Sequence, residues 1–102
     1  DSFGATNYNA YEANLKTLID GLNGINQFAQ TPFIIVEIQQ DPAQTGTPVV
    51  QAAGLAVSNT SPYSAYTTYI PTDDIVTLLD SYHADGTSQE AIGARITQNL
   101  LA

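Results

Sequence analysis

His83 is the only histidine of the chain, and Asp80 stands three positions before it. On a helix that spacing lets the two side chains meet, so a His–Asp pair able to move a proton is one reading. Acyl transfer would also need an activated nucleophile and an oxyanion site, and no G-x-S-x-G turn presents one. A single imidazole makes a transition-metal site improbable as well. The sequence therefore reads His83 as a residue at the C-terminal end of a helix, favoured there by the negative end of the helix dipole.

The carboxylates around it invite a calcium reading. If Gly86 took the sixth position of an EF-hand loop, Ser81 and Ile92 would fall at its first and last positions, without the charged ligands such a loop needs. A loosely held cation on Asp80, Asp85 and Glu90 is the weaker alternative to capping and solvation. Asp73 and Asp74 suit a helix start better than a glycosidase pair, and the absence of Trp gives no support for a sugar subsite. Tyr63, Tyr66 and Tyr69 read as half-buried packing with wet hydroxyls. With no Cys, thiol catalysis, thiolate metal sites and disulfides are excluded, and no glycine-rich phosphate loop is present. The expectation is a protein that is not an enzyme, with no catalytic residues, no cofactor and no metal.

Ten Asp and Glu face only Lys16 and Arg95, for a formal charge of −8. That balance opposes nucleic-acid binding and docking on anionic lipid, both of which need several cations. The longest apolar run, Phe33 to Val36, is far too short for a membrane span. Lysine poverty, the lack of Met, and the sequon Asn59-Thr60-Ser61 read as a secreted, extracellular chain whose leader has been removed, with Asn59 open to glycosylation.

A length of 102 residues fits one globular domain, 1–102, with 1–8 as a polar arm. From Asn9 to Gln30, the residues Tyr11, Leu15, Leu18, Leu22, Ile25 and Ala29 fall on one stripe of a long helix, opened by an Asn9–Glu12 capping box. Phe33–Gln40 reads as a strand, with a short helix after Thr31-Pro32 as its rival. Thr47-Pro48 opens a short buried helix ending near Ser58, and Tyr66–Ile70 is a strand able to pair with the first. Thr72 then caps a helix through His83, Gly86 closes it, and a Thr87–Glu90 box opens another, making a helical hairpin. The fold expected is mainly α, with one or two short strands. It becomes α+β with a small sheet if both strands pair.

The opening DSFGATNYNAYEANLKTLIDGLNG, the central FIIVEIQQ and the closing DDIVTLLDSYHADGTSQEAIGARITQNLLA resemble, in style and size, small acidic cysteine-free secreted proteins of mushroom-forming fungi. That group includes immunomodulatory proteins. The resemblance implies a non-enzymatic binding protein that engages a partner protein, a cell or a surface, and it supplies no functional residues. A small carrier of an apolar ligand such as a lipid is the alternative. Gly21 and Gly24, on the flank of the helix that also carries Phe28, would then leave room for the ligand. A structural cell-wall or surface protein is a third class. A homodimer is compatible with the first.

Overall fold

The computed structural model describes residues 5–25 and 31–101. Among them are four helices and two strands: α1 (Ala5–Asn9), α2 (Tyr11–Asn23), β1 (Phe33–Val36), α3 (Thr47–Ser58), a 3-10 turn (Tyr63–Ala65), β2 (Thr67–Ile70) and α4 (Gly86–Leu101). The domain is mainly helical around a small sheet.

β1 and β2 pair in parallel, from Phe33 opposite Thr67 to Val36 opposite Ile70. Their β-branched and aromatic residues suit a pleated, half-buried surface, and the rival helix over Phe33–Val36 does not form. Parallel strands need a crossover of a dozen residues or more, and α3 supplies it. Pro48 lies in its first turn, where a missing N–H costs nothing. The Thr47 hydroxyl, expected to cap, donates instead to Gln40 Oε1 at 2.8 Å, and Gly46 takes the cap position. α3 lies close on the sheet at Gly54. A Cβ there would stand 3.1 Å from Ile35 Cγ2 and 3.2 Å from Tyr69 Cε1.

The core joins Ile19, Ile35, Val57 and Tyr63, with Leu15, Phe33, Tyr66 and Tyr69 packed around them. This corrects the expected stripe. Ile19, which is not on it, is the buried residue of α2, whereas Leu18 is 57% and Ile25 47% exposed. Tyr63 turns the helix toward Ile19: its hydroxyl donates to Asp20 Oδ2 at 2.9 Å, and Lys16 Nζ lies 6.0 Å from its ring centre. The Asn9–Glu12 box is not used, because Asn9 ends α1 and Ala10 precedes α2 without a side-chain cap. Ala29 and Phe28 lie outside the described residues.

The C-terminal hairpin is also corrected. Only α4 is a regular helix there. Ile75 and Val76 donate to the Thr72 carbonyl in a single turn, and the chain then opens out. Leu79 N–H donates to His83 O at 2.8 Å and Asp85 N–H to Thr77 O at 2.9 Å, closing a small loop around the Leu78–Ala84 bridge. The reason lies in diverted caps. The Thr72 hydroxyl donates to the Glu37 carbonyl at 2.9 Å instead of capping its own segment. Asp80 captures local N–H groups that a helix would need. Gly86 opens α4 rather than closing a helix before it. Asp85, not Thr87, caps α4, accepting the Ser88 N–H at 2.7 Å.

Candidate active site

In a parallel sheet the loops at the carboxyl ends of the strands gather on one side, where α/β proteins place their sites. Here those loops are 37–46 after β1 and 71–85 after β2. Glu37 fastens the second to the first. Its N–H donates to Ile70 O at 2.9 Å, and its carboxylate accepts the Thr72 N–H at 3.0 Å, the Asp73 N–H at 3.2 Å and the Tyr69 hydroxyl at 2.9 Å. Burial, then this hydrogen bond to Glu37, holds the Tyr69 hydroxyl well above the usual tyrosine range. The far end of the 71–85 loop is tied to α4. Thr77 N–H donates to the buried Ser88 hydroxyl at 2.7 Å.

The tip of that loop is Asp80-Ser81-Tyr82-His83. Its backbone is held from the 37–46 loop, where Asp41 N–H donates to Ser81 O at 2.8 Å. Gln44 Nε2 donates to the Tyr82 hydroxyl at 3.3 Å. Within the tip, Asp80 Oδ1 accepts the N–H groups of Tyr82 and His83 at 2.7 and 2.8 Å. Asp80 Oδ2 stands 2.8 Å from His83 Nδ1. The Tyr82 N–H, and after it the imidazole, hold the Asp80 carboxyl below the usual carboxylate range.

This geometry fixes the proton on the ring. An ionised carboxylate only accepts, so Nδ1 carries the hydrogen and a neutral His83 presents a bare Nε2. The side chain is 71% exposed, and among the described residues only Asp80 hydrogen-bonds the ring. A base aimed at solvent and oriented by a fixed carboxylate is the chemical unit of general-base catalysis. His83 is thus no helix-terminal residue, and the dipole account of it fails.

The other singled-out residues lie elsewhere. A Cβ on Gly21 would meet nothing within 4 Å, and one on Gly24 only the carbonyls of its own turn. Phe28 lies outside the described residues. Asn59 is exposed directly after α3. No three His, Asp or Glu among the described residues gather as a metal site, and no helix is long and apolar enough to cross a membrane.

No curated protein and no solved structure matches this chain. A family model does, over residues 1–102: that of a carbohydrate esterase family, sialic acid-specific acetylesterase. The chain belongs to this family. Membership overturns the resemblance to fungal immunomodulatory proteins. It also overturns the expectation of a non-enzymatic protein, whether binder, lipid carrier or wall component.

Proposed function

We propose that this member of the acetylesterase family hydrolyses acetyl esters on sugar hydroxyls, with His83 as general base and Asp80 as the residue that positions it. The 2.8 Å contact between His83 Nδ1 and Asp80 Oδ2 carries the reading. Nε2 takes the proton of the attacking oxygen as that oxygen adds to the acetyl carbonyl. When the ester C–O bond breaks, the sugar oxygen leaves with that proton as a free hydroxyl. Water as the attacker gives acetic acid directly, which ionises to acetate. A protein hydroxyl becomes instead an acetyl ester that water, its proton again taken by Nε2, then cleaves to acetate and the restored hydroxyl. Among the described residues no hydroxyl is hydrogen-bonded to His83, and the attacking oxygen is that of water or of a protein hydroxyl. Mass spectrometry of the protein quenched during turnover separates the two: an acetyl adduct marks a protein hydroxyl, its absence water.

The test of the assignment is the rate of acetate release. His83→Ala should lose about 10²–10⁴-fold in kcat while the fold is retained. Unchanged turnover in that variant would sink the assignment.

The extracellular location is part of the proposal, supported by the two-residue complement of Lys and Arg and by the sequon at Asn59. A glycan on Asn59 in protein purified from its source checks it.

A further inference from the structure

We infer that the Ser88 hydroxyl is a positioning group for His83, holding the base of the loop that carries it, an inference that rests on the esterase reading above. Along α4 the described residues are exposed or half-buried except Ser88, which is 2% exposed. A buried hydroxyl must find partners, and this one finds them outside its helix. Its Oγ accepts the Thr77 N–H at 2.7 Å and donates to the Thr77 carbonyl at 3.3 Å. One hydroxyl can do both, having one hydrogen and two lone pairs. With Asp85 as N-cap, Ser88 is the third helical residue, where a capping box turns a side chain back to the N–H of the cap. Here neither half of that exchange stays local. The Asp85 N–H goes to Thr77 O at 2.9 Å, and the Ser88 side chain goes to Thr77 as well. Both polar backbone groups of Thr77 are thus met by the start of α4.

From Thr77 a short antiparallel ladder runs to His83. Thr77 O accepts the Asp85 N–H, Leu78 bridges Ala84, and the Leu79 N–H donates to His83 O at 2.8 Å. Leu79 lies two residues beyond Thr77, about 7 Å of extended chain, so a shift at Thr77 is carried to the His83 backbone. Gln89 adds a bond to Ala84 O at 3.0 Å, but from an exposed residue, where water competes. The Ser88 bond is buried, so its loss leaves the Thr77 N–H without its partner. A base displaced by about 1 Å loses rate even where substrate still binds.

The experiment measures acetate release from O-acetylated sialic acid and amide hydrogen exchange in the same variants. Ser88→Ala should lower kcat about tenfold and leave KM within about twofold. Exchange should quicken at Leu79 and Asp85 but not at Glu37, whose N–H is paired with Ile70 O. Weakening of α4 itself is no cause of such a loss, since Ala is a better helix former than Ser. Ser88→Thr keeps the hydroxyl and should recover most of the rate. Val57→Ala, which opens the core instead, should lower the urea midpoint and leave kcat within about twofold. An unchanged kcat in Ser88→Ala, a loss no larger than that of Val57→Ala, or a Ser88→Thr enzyme as slow as Ser88→Ala would overturn this inference alone. Exchange that quickened equally at Glu37 would do the same, making Ser88 a residue of global stability. If the parent protein released no acetate, the esterase reading would fall, and this one with it.

Discussion

Asp80 serves two partners with one carboxylate: its Oδ1 fixes the backbone of the loop tip, and its Oδ2 fixes the imidazole. Asp80→Asn separates these tasks. The amide oxygen can still accept the Tyr82 and His83 N–H groups, so the loop should hold. The amide nitrogen would then face His83 Nδ1 as a donor, forcing the hydrogen to Nε2 and leaving no base there. A kcat loss on the order of 10³-fold is expected with little change in the urea midpoint. A loss of stability that matches the loss of rate would instead make Asp80 a structural residue only. The spacing of these two residues was legible in the sequence, but their meaning was not. On a presumed helix, Asp80 and His83 look like a surface pair near a C-terminus. Their chemistry depends on the loop, and the loop depends on Glu37, some forty positions upstream. No local pattern announces that contact.

Among the elements, the β1–α3–β2 unit was readable because each part carries its own signal. These are β-branched runs for the strands and Thr47-Pro48 for the crossover helix. The helices expected over Asn9–Gln30 and from Thr72 through His83 were misjudged for physical reasons. Leu18 and Ile19 are both apolar neighbours, so periodicity alone could not choose between faces about 100° apart; Tyr63 chose Ile19. Beyond Pro71, the caps that would have made a helix are spent on Glu37 and on the Asp80 turn. The glycines give a direct test of the packing. Gly54→Ala gains about 1 kcal/mol of helix propensity but must push Ile35 and Tyr69, at a cost of about 1–3 kcal/mol. It should lower the urea midpoint. Gly21→Ala and Gly93→Ala, where a Cβ meets nothing within 4 Å, should each raise it, by up to about 1 kcal/mol of stability. If Gly54→Ala also stabilised, the close approach of α3 to the sheet would be refuted. Glu37→Ala should speed hydrogen exchange at Thr72 and Asp73 and lower kcat without touching the imidazole.

At the scale of the whole molecule, charge sets the response to pH through two opposed effects. A net charge of −8 strains the compact state by self-repulsion, and this strain fades as pH falls toward the pI of 4.1. Against it stand three carboxyls held below their ordinary range. The Arg95 guanidinium lowers Asp74, the Tyr82 N–H and then the imidazole lower Asp80, and the Ser88 hydroxyl and then its N–H lower Asp85. A depressed folded value means that the unfolded chain binds protons first. The stability these groups give is therefore complete above the unfolded carboxyl range, about pH 4, and is lost as pH falls through the folded values. Asp74 and Asp80 are solvent-exposed and Asp85 is partly so, so the loss is gradual. Repulsion decides the neutral side and the aspartates decide the acid side. Urea midpoints measured from about pH 8 to about pH 3 should therefore rise to a maximum near about pH 5 and then fall. Asp85→Asn keeps an N-capping acceptor but has no carboxyl to titrate, so its acid limb should be shallower than that of the parent protein. A midpoint that went on rising below about pH 4, or an acid limb unaltered by Asp85→Asn, would show that repulsion alone governs the profile and that these hydrogen-bonded carboxylates contribute nothing to the fold.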